Sequence, residues 1–145
     1  MYFVDRDQIE AKLFYLEELS QWLKEERNFE QITEKIALER VAHMTIEAII
    51  DVGNAMIDGF IMRDPGSYDD VIDIMLDEKV IDNEDERVFK QFITYRKMLV
   101  QHYLDINHEQ LRSVFQTEAE RLPNFAQKVR RYLEEELGPV SAFKP

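Results

Sequence analysis

The segment from Glu30 to Gly59 limits the possible fold more than any other part of this 145-residue chain. It contains no proline, and Ile36, Val41, Met44, Ile46, Ile49, Ile50, Val52, Met56 and Ile57 recur at steps that spread apolar groups nearly all round a helix. A helix with so little polar surface belongs in the centre of a domain, and the rest of the chain must pack around it.

The flanking sequence has the same period. Only four glycines and four prolines punctuate the chain, and the spacing predicts an all-α fold: an up-and-down bundle of about five helices in one domain, 1–145. The first helix runs from about Asp7 to Glu26, with Ile9, Leu13, Leu16, Leu19 and Leu23 on its inner stripe and Phe14 and Trp22 widening it. Asp64-Pro65-Gly66-Ser67 reads as a turn. Ser67 caps a short helix from Tyr68 to about Lys79, with Asp70 placed as in a capping box. Asp82-Asn83-Glu84 opens a fourth helix ending near Ile106, and a fifth spans about Glu109 to Leu137, where Gly138 and Pro139 stop it.

Composition excludes several kinds of chemistry. Without cysteine there is no disulfide, thiolate metal site or cysteine nucleophile, which fits a reducing, cytoplasmic setting. No apolar run is long enough for a bilayer span or a signal peptide, so no membrane partner is expected. Thirty acidic residues against 18 basic ones give a net charge of -12, which disfavours general binding to polyanions. A small RNA cleft stays compatible with that charge if Arg96, Lys97, Lys128, Arg130 and Arg131 act at short range.

Two patterns carry candidate chemistry. Phe89, Phe92, Ile93, Arg96, Leu99, Val100 and Tyr103 share one helical face, so Arg96 interrupts an apolar stripe and requires a partner or a ligand. On the central helix Arg40, His43, Glu47, Asp51, Asn54 and Asp58 form a polar ridge within an arc of about 80°. The ridge is either the strip that meets water or a pairing surface on which Glu47 or Asp51 neutralises Arg96. His43, Glu47 and Asp51 do not read as metal ligands. Helical di-metal sites use Glu-x-x-His pairs, and Glu39-x-x-x-His43 is one residue too long, so no metal or other cofactor is predicted.

The run Gly-Asn-x-Met-Ile-Asp-Gly-Phe-Ile-Met-Arg-Asp-Pro-Gly-Ser-Tyr-Asp-Asp at Gly53 to Asp70, followed by Tyr95-Arg96 to Tyr103 and a terminal Gly-Pro-Val-Ser, resembles the HepT-like family of the HEPN superfamily, in its YutE-like branch. The resemblance covers almost the whole chain. It implies a homodimer in which the Arg-to-His motifs of two protomers meet at a cleft. It also implies a metal-independent ribonuclease toxin whose partner, a minimal nucleotidyltransferase antitoxin, adenylylates a tyrosine beside the motif. On this resemblance Arg96 and His102 are the catalytic pair and Tyr103 is the modification candidate; Glu47, Asp51, His43 and Asn54, placed on the ridge by their spacing, are the candidates to support them.

Those residue types suit the reaction. Histidine moves protons near neutral pH while a ribose 2′-hydroxyl attacks its phosphate, and arginine stabilises charge on the phosphoryl oxygens. The usual spacing of the resembled family is R-x-x-x-x-H-x-Y, whereas this chain reads R-x-x-x-x-x-H-Y, with Gln101 in the expected histidine position and Lys97 where Asn or Asp commonly follows the arginine. On a continuous helix that single step turns the side chain by about 100°. Glutamine cannot shuttle a proton at neutral pH, so a second reading stands beside the ribonuclease: a catalytically inactive helical dimer that binds a nucleotide or partner protein. In either reading the dimer seam is expected to use Val88, Tyr95, Met98 and His102, together with part of the central helix.

Overall fold

The computed structural model describes residues 4–138, all of whose regular structure is helical. Six helices of ten or more residues and one five-residue segment follow in order: α1 (Arg6–Lys24), α2 (Ile32–Gly59), α3 (Tyr68–Asp77), α4 (Asn83–Thr94), α5 (Arg96–Val100), α6 (His108–Thr117) and α7 (Arg121–Leu137). As its composition requires, α2 is central. It touches α1, α3, α4, α5 and α6, while α7 lies along α1.

Local chemistry sets most boundaries. Asp5 caps α1 by accepting from the Gln8 amide, and Ser67 caps α3 by accepting from the Asp70 amide. The reciprocal half of the box at α3 is displaced by one residue, because the Asp70 carboxylate accepts from Gly66 N at 2.7 Å. At α4 the box is complete: Asp82 accepts from Asp85 N, and Asp85 accepts from Asp82 N. Gly138, with φ 79°, ends α7 in backbone that glycine adopts most readily. Pro139 and the Gly-Pro-Val-Ser segment beyond Gly138 lie outside the described residues.

The count of about five helices is corrected at two places. The expected fifth helix divides into α6 and α7 around Glu118–Glu120, ahead of Pro123. Proline at 123 cannot donate to the Ala119 carbonyl one turn back, so that carbonyl accepts instead from Ser20 Oγ at 2.8 Å and Leu122 N at 3.2 Å. The expected fourth helix bends at Tyr95, where the Tyr95 amide bonds Phe92 O, and ends at Val100 rather than near Ile106. Residues 101–105 are exposed, so no buried face holds them in a helix.

The core is continuous and includes all five predicted α1 residues. Phe92 stacks on Phe115 with centroids 4.3 Å apart, and Phe89 meets Phe125 edge-on at 5.2 Å. Phe14 and Ile36, by contrast, are more than half exposed and leave the predicted inner stripes. Val88 and Tyr95 are buried within the chain, which removes them from the expected dimer seam. A fully buried carboxylate, Asp85, is held by Arg121 (3.2 Å) and Lys128 and ties α4 to α7.

Candidate functional site

Gly53 brings α3 close to the middle of α2. A Cβ at this position would come within 2.5 Å of Val71 Cγ1 and 3.1 Å of Met75 Cε, so only glycine leaves room for α3 at this separation. With α3 seated there and started by Ser67, its first residue, Tyr68, reaches across to α2, and its hydroxyl donates to Glu47 Oε2 at 2.8 Å.

The other oxygen of Glu47 faces α5. Arg96 Nε donates to Glu47 Oε1 at 2.8 Å, and the guanidinium lies over the Tyr68 ring, 4.7 Å from its centroid. His43, one turn before Glu47, places Nε2 3.4 Å from the same Oε1. Burial works against the charged form of Glu47. Hydrogen bonds from Arg96 and Tyr68, with the charges of Arg96 and His43, outweigh it and hold the carboxyl below its usual range. Burial, with the hydrogen bond to Glu47 and its negative charge, pushes the Tyr68 hydroxyl up, and the Glu47 hydrogen bond raises Arg96. Near neutral pH the cluster therefore holds a carboxylate, a neutral phenol and a guanidinium. Only Nε of Arg96 is committed to Glu47, and no second carboxylate among the described residues pairs with the terminal nitrogens. The side chain keeps 40% of its surface exposed, so the open end of the fork can take an external oxyanion.

The ridge is thus a pairing surface in its middle and a wet strip at its ends. Glu47, not Asp51, meets Arg96. Asp51, Arg40 and Asp58 are exposed, and Asn54 is half-buried. Tyr68 was not singled out by sequence reasoning, although it stands directly after the helix cap within the Gly53–Asp70 run. A further pair, Glu39 with His108 at 2.7 Å, joins the same ridge to α6. It adjoins a cleft of about 570 Å³ lined by Arg27, Phe29, Lys35, Asn107, His108 and Arg112, apart from Arg96.

His102 and Tyr103 lie beyond the helix rather than on it. The Gln101 amide closes the last turn onto Lys97 O at 2.8 Å, and the His102 amide is shared between Lys97 O and Met98 O, both at 3.2 Å. The five-residue-back bond widens the turn, so the rotation of about 100° per residue no longer relates His102 to Arg96. Both side chains are exposed, Tyr103 at 63%. Of the cations expected to act locally, Lys128 is held by Asp82 and Asp85, and Arg130 is clamped by Glu10 and Glu17. Lys97 and Arg131 make no ion pair within the described residues. No helix among those residues is long and apolar enough to cross a membrane.

The sequence and fold of the chain match a known family. The family model for Ribonuclease HepT-like proteins matches residues 9–129, and the chain belongs to that family. It is 46% identical over 144 residues to the Bacillus subtilis (strain 168) protein described as "Putative RNase YutE", covering 99% of this chain and all of the relative. A solved structure, described as that of the cytosolic protein of unknown function YutE from Bacillus subtilis, superposes with a TM-score of 0.93 at 46% identity, again over 99% of this chain and all of the other.

Proposed function

We propose that this HepT-like chain is a metal-independent endoribonuclease that works as a homodimer, with Arg96 and His102 as its catalytic pair. The observation that carries this reading is the one-sided fixation of Arg96: Nε is held by Glu47, while no carboxylate among the described residues pairs with the terminal nitrogens and 40% of the side chain stays exposed. A phosphate seated on them is stabilised as charge grows on its oxygens during attack. In the reaction the ribose 2′-oxygen bonds to phosphorus, the bond from phosphorus to the 5′-oxygen breaks, and the proton leaving the 2′-hydroxyl is balanced by one delivered to the 5′-oxygen. His102, exposed beside the end of α5, is the proton carrier.

The exposed apolar groups Val100, Tyr103 and Leu104 around His102 favour a second protomer at this end of the molecule. The exposed Tyr103 is the adenylylation candidate for a minimal nucleotidyltransferase antitoxin. The second reading, a dimer that binds a nucleotide or partner without cleaving it, is favoured by the net charge of -12 and by Gln101 at the family's histidine position.

Cleavage of synthetic RNA in chelator by the parent protein, Arg96→Ala and His102→Ala separates the two. Loss of at least about 100-fold in both variants supports the nuclease. An inert parent supports the binding module. A monomer by light scattering at micromolar concentration removes the dimer.

A further inference from the structure

We propose that His43 is the general base of the Arg96 site, taking the proton from the attacking 2′-hydroxyl, while His102 serves as the acid for the leaving 5′-oxygen. The proposal rests on the ribonuclease reading and assigns a proton carrier which the family motif does not contain.

The geometry points to His43 in three ways. It meets the same carboxylate oxygen as Arg96, with Nε2 at 3.4 Å from Glu47 Oε1 and Arg96 Nε at 2.8 Å, so one oxygen gathers the imidazole and the guanidinium into one cluster. His102, in contrast, makes no hydrogen bond or ion pair with Glu47 or Arg96 among the described residues. Second, Glu47 is the acid partner nearest His43, one helical turn on, and its Oε1 at 3.4 Å from Nε2 is close enough to attract the imidazolium formed when the base takes a proton. Neither ring nitrogen of His43 makes a hydrogen bond to the described residues, so Nδ1 is not consumed by the fold. Third, the side chain keeps 30% of its surface exposed, which combines access with a fixed position on the longest helix.

A histidine four residues from a glutamate is commonly a weak surface pair. Here Oε1 is already occupied at shorter range by Arg96 and Oε2 by Tyr68, so His43 adds little to holding Glu47. Glu39, Arg40 and Glu47 lie within about one turn of it on α2, Tyr68 from α3 and Arg96 from α5 share Glu47 with it, and His108 from α6 pairs with Glu39.

The proton account closes. Neutral His43 accepts the 2′-hydroxyl proton as the 2′-oxygen bonds to phosphorus. Protonated His102 gives a proton to the 5′-oxygen as its bond to phosphorus breaks, leaving a 2′,3′-cyclic phosphate and a 5′-hydroxyl, and solvent exchange resets both histidines.

Two substrates separate base from acid: an RNA oligonucleotide, and uridine 3′-(p-nitrophenyl phosphate), whose leaving group departs without a proton. His43→Ala is expected to lose at least about 100-fold on both, with partial recovery on adding imidazole, while His102→Ala loses activity on RNA and largely retains it on the nitrophenyl ester. His43→Gln, with its melting temperature measured alongside, separates chemistry from folding. Parent-like cleavage by a folded His43→Gln protein, or a His43→Ala loss without imidazole recovery, overturns the assignment and leaves the ribonuclease reading intact. A parent inert on both substrates removes the ribonuclease reading, and the base with it.

Discussion

Glu47 on α2 and Arg96 on α5, 49 residues apart in the chain, are joined by a 2.8 Å hydrogen bond that fixes the arginine through one nitrogen. Tyr68 holds the carboxylate from its other side. The guanidinium is thereby oriented without being consumed, the arrangement needed by a group that must still bind an oxyanion.

Removing the Tyr68 hydroxyl tests that arrangement. Tyr68→Phe loses one hydrogen bond to a charged group but keeps the ring under Arg96, so stability should fall by about 1 kcal/mol, read from the urea midpoint. If the cluster cleaves RNA, the same variant should lower kcat with little change in fold, because Glu47 is then held from one side only.

Gly53 tests the seating of α3. Gly53→Ala forces a methyl group into the space of Val71 and should destabilise by about 1–3 kcal/mol despite the better helix propensity of alanine. Adding Val71→Ala reopens that space, so the double variant should be more stable than the sum of the single changes implies. Additive behaviour in denaturant titrations would show that the two side-chain positions do not compete.

Asp85 should be the most sensitive polar position. Asp85→Ala removes a fully buried carboxylate from Arg121 and Lys128 and breaks the α4 capping box, with an expected loss of about 3–5 kcal/mol in chemical denaturation. Ser20→Ala, which removes only the bond to Ala119 O, should cost about 1 kcal/mol.

Acid stability should depend on Asp82. The hydrogen bond from the Asp85 amide, then Lys128, holds its carboxyl at about 2, against an ordinary value of 3.8. A depressed carboxylate contributes its stabilisation fully above the unfolded value and loses it as pH falls through the folded value. Asp82→Asn keeps a capping side chain without the titration. The melting-temperature gap between parent and variant should therefore close between about pH 4 and pH 2. The effect is modest because Asp82 is largely exposed and screened by solvent.

The sequence by itself determined the all-helical class, the central place of α2, the inner stripe of α1 and the caps at Ser67 and Asp82. Each follows from near-neighbour spacing, which a helix converts directly into a face or an end. The break ahead of Pro123 was missed, although a missing N–H acts within one turn and carried the signal for it. That Arg96 needed a partner was legible, because an arginine within an apolar stripe must be compensated. Only the tertiary structure decided that the partner is Glu47 rather than Asp51, that Tyr68 completes the cluster, and that Val88 and Tyr95 are core. It also decided where α5 ends, and so placed His102 and Tyr103 off the helix. Glu47 and Asp51 occupy nearly the same arc of α2, and a four-residue step along the axis separates them. Choosing between them depends on how far α3 and α5 slide along the central helix, which the packing of Val71 against Gly53 and of the aromatic core sets, and which no local spacing encodes.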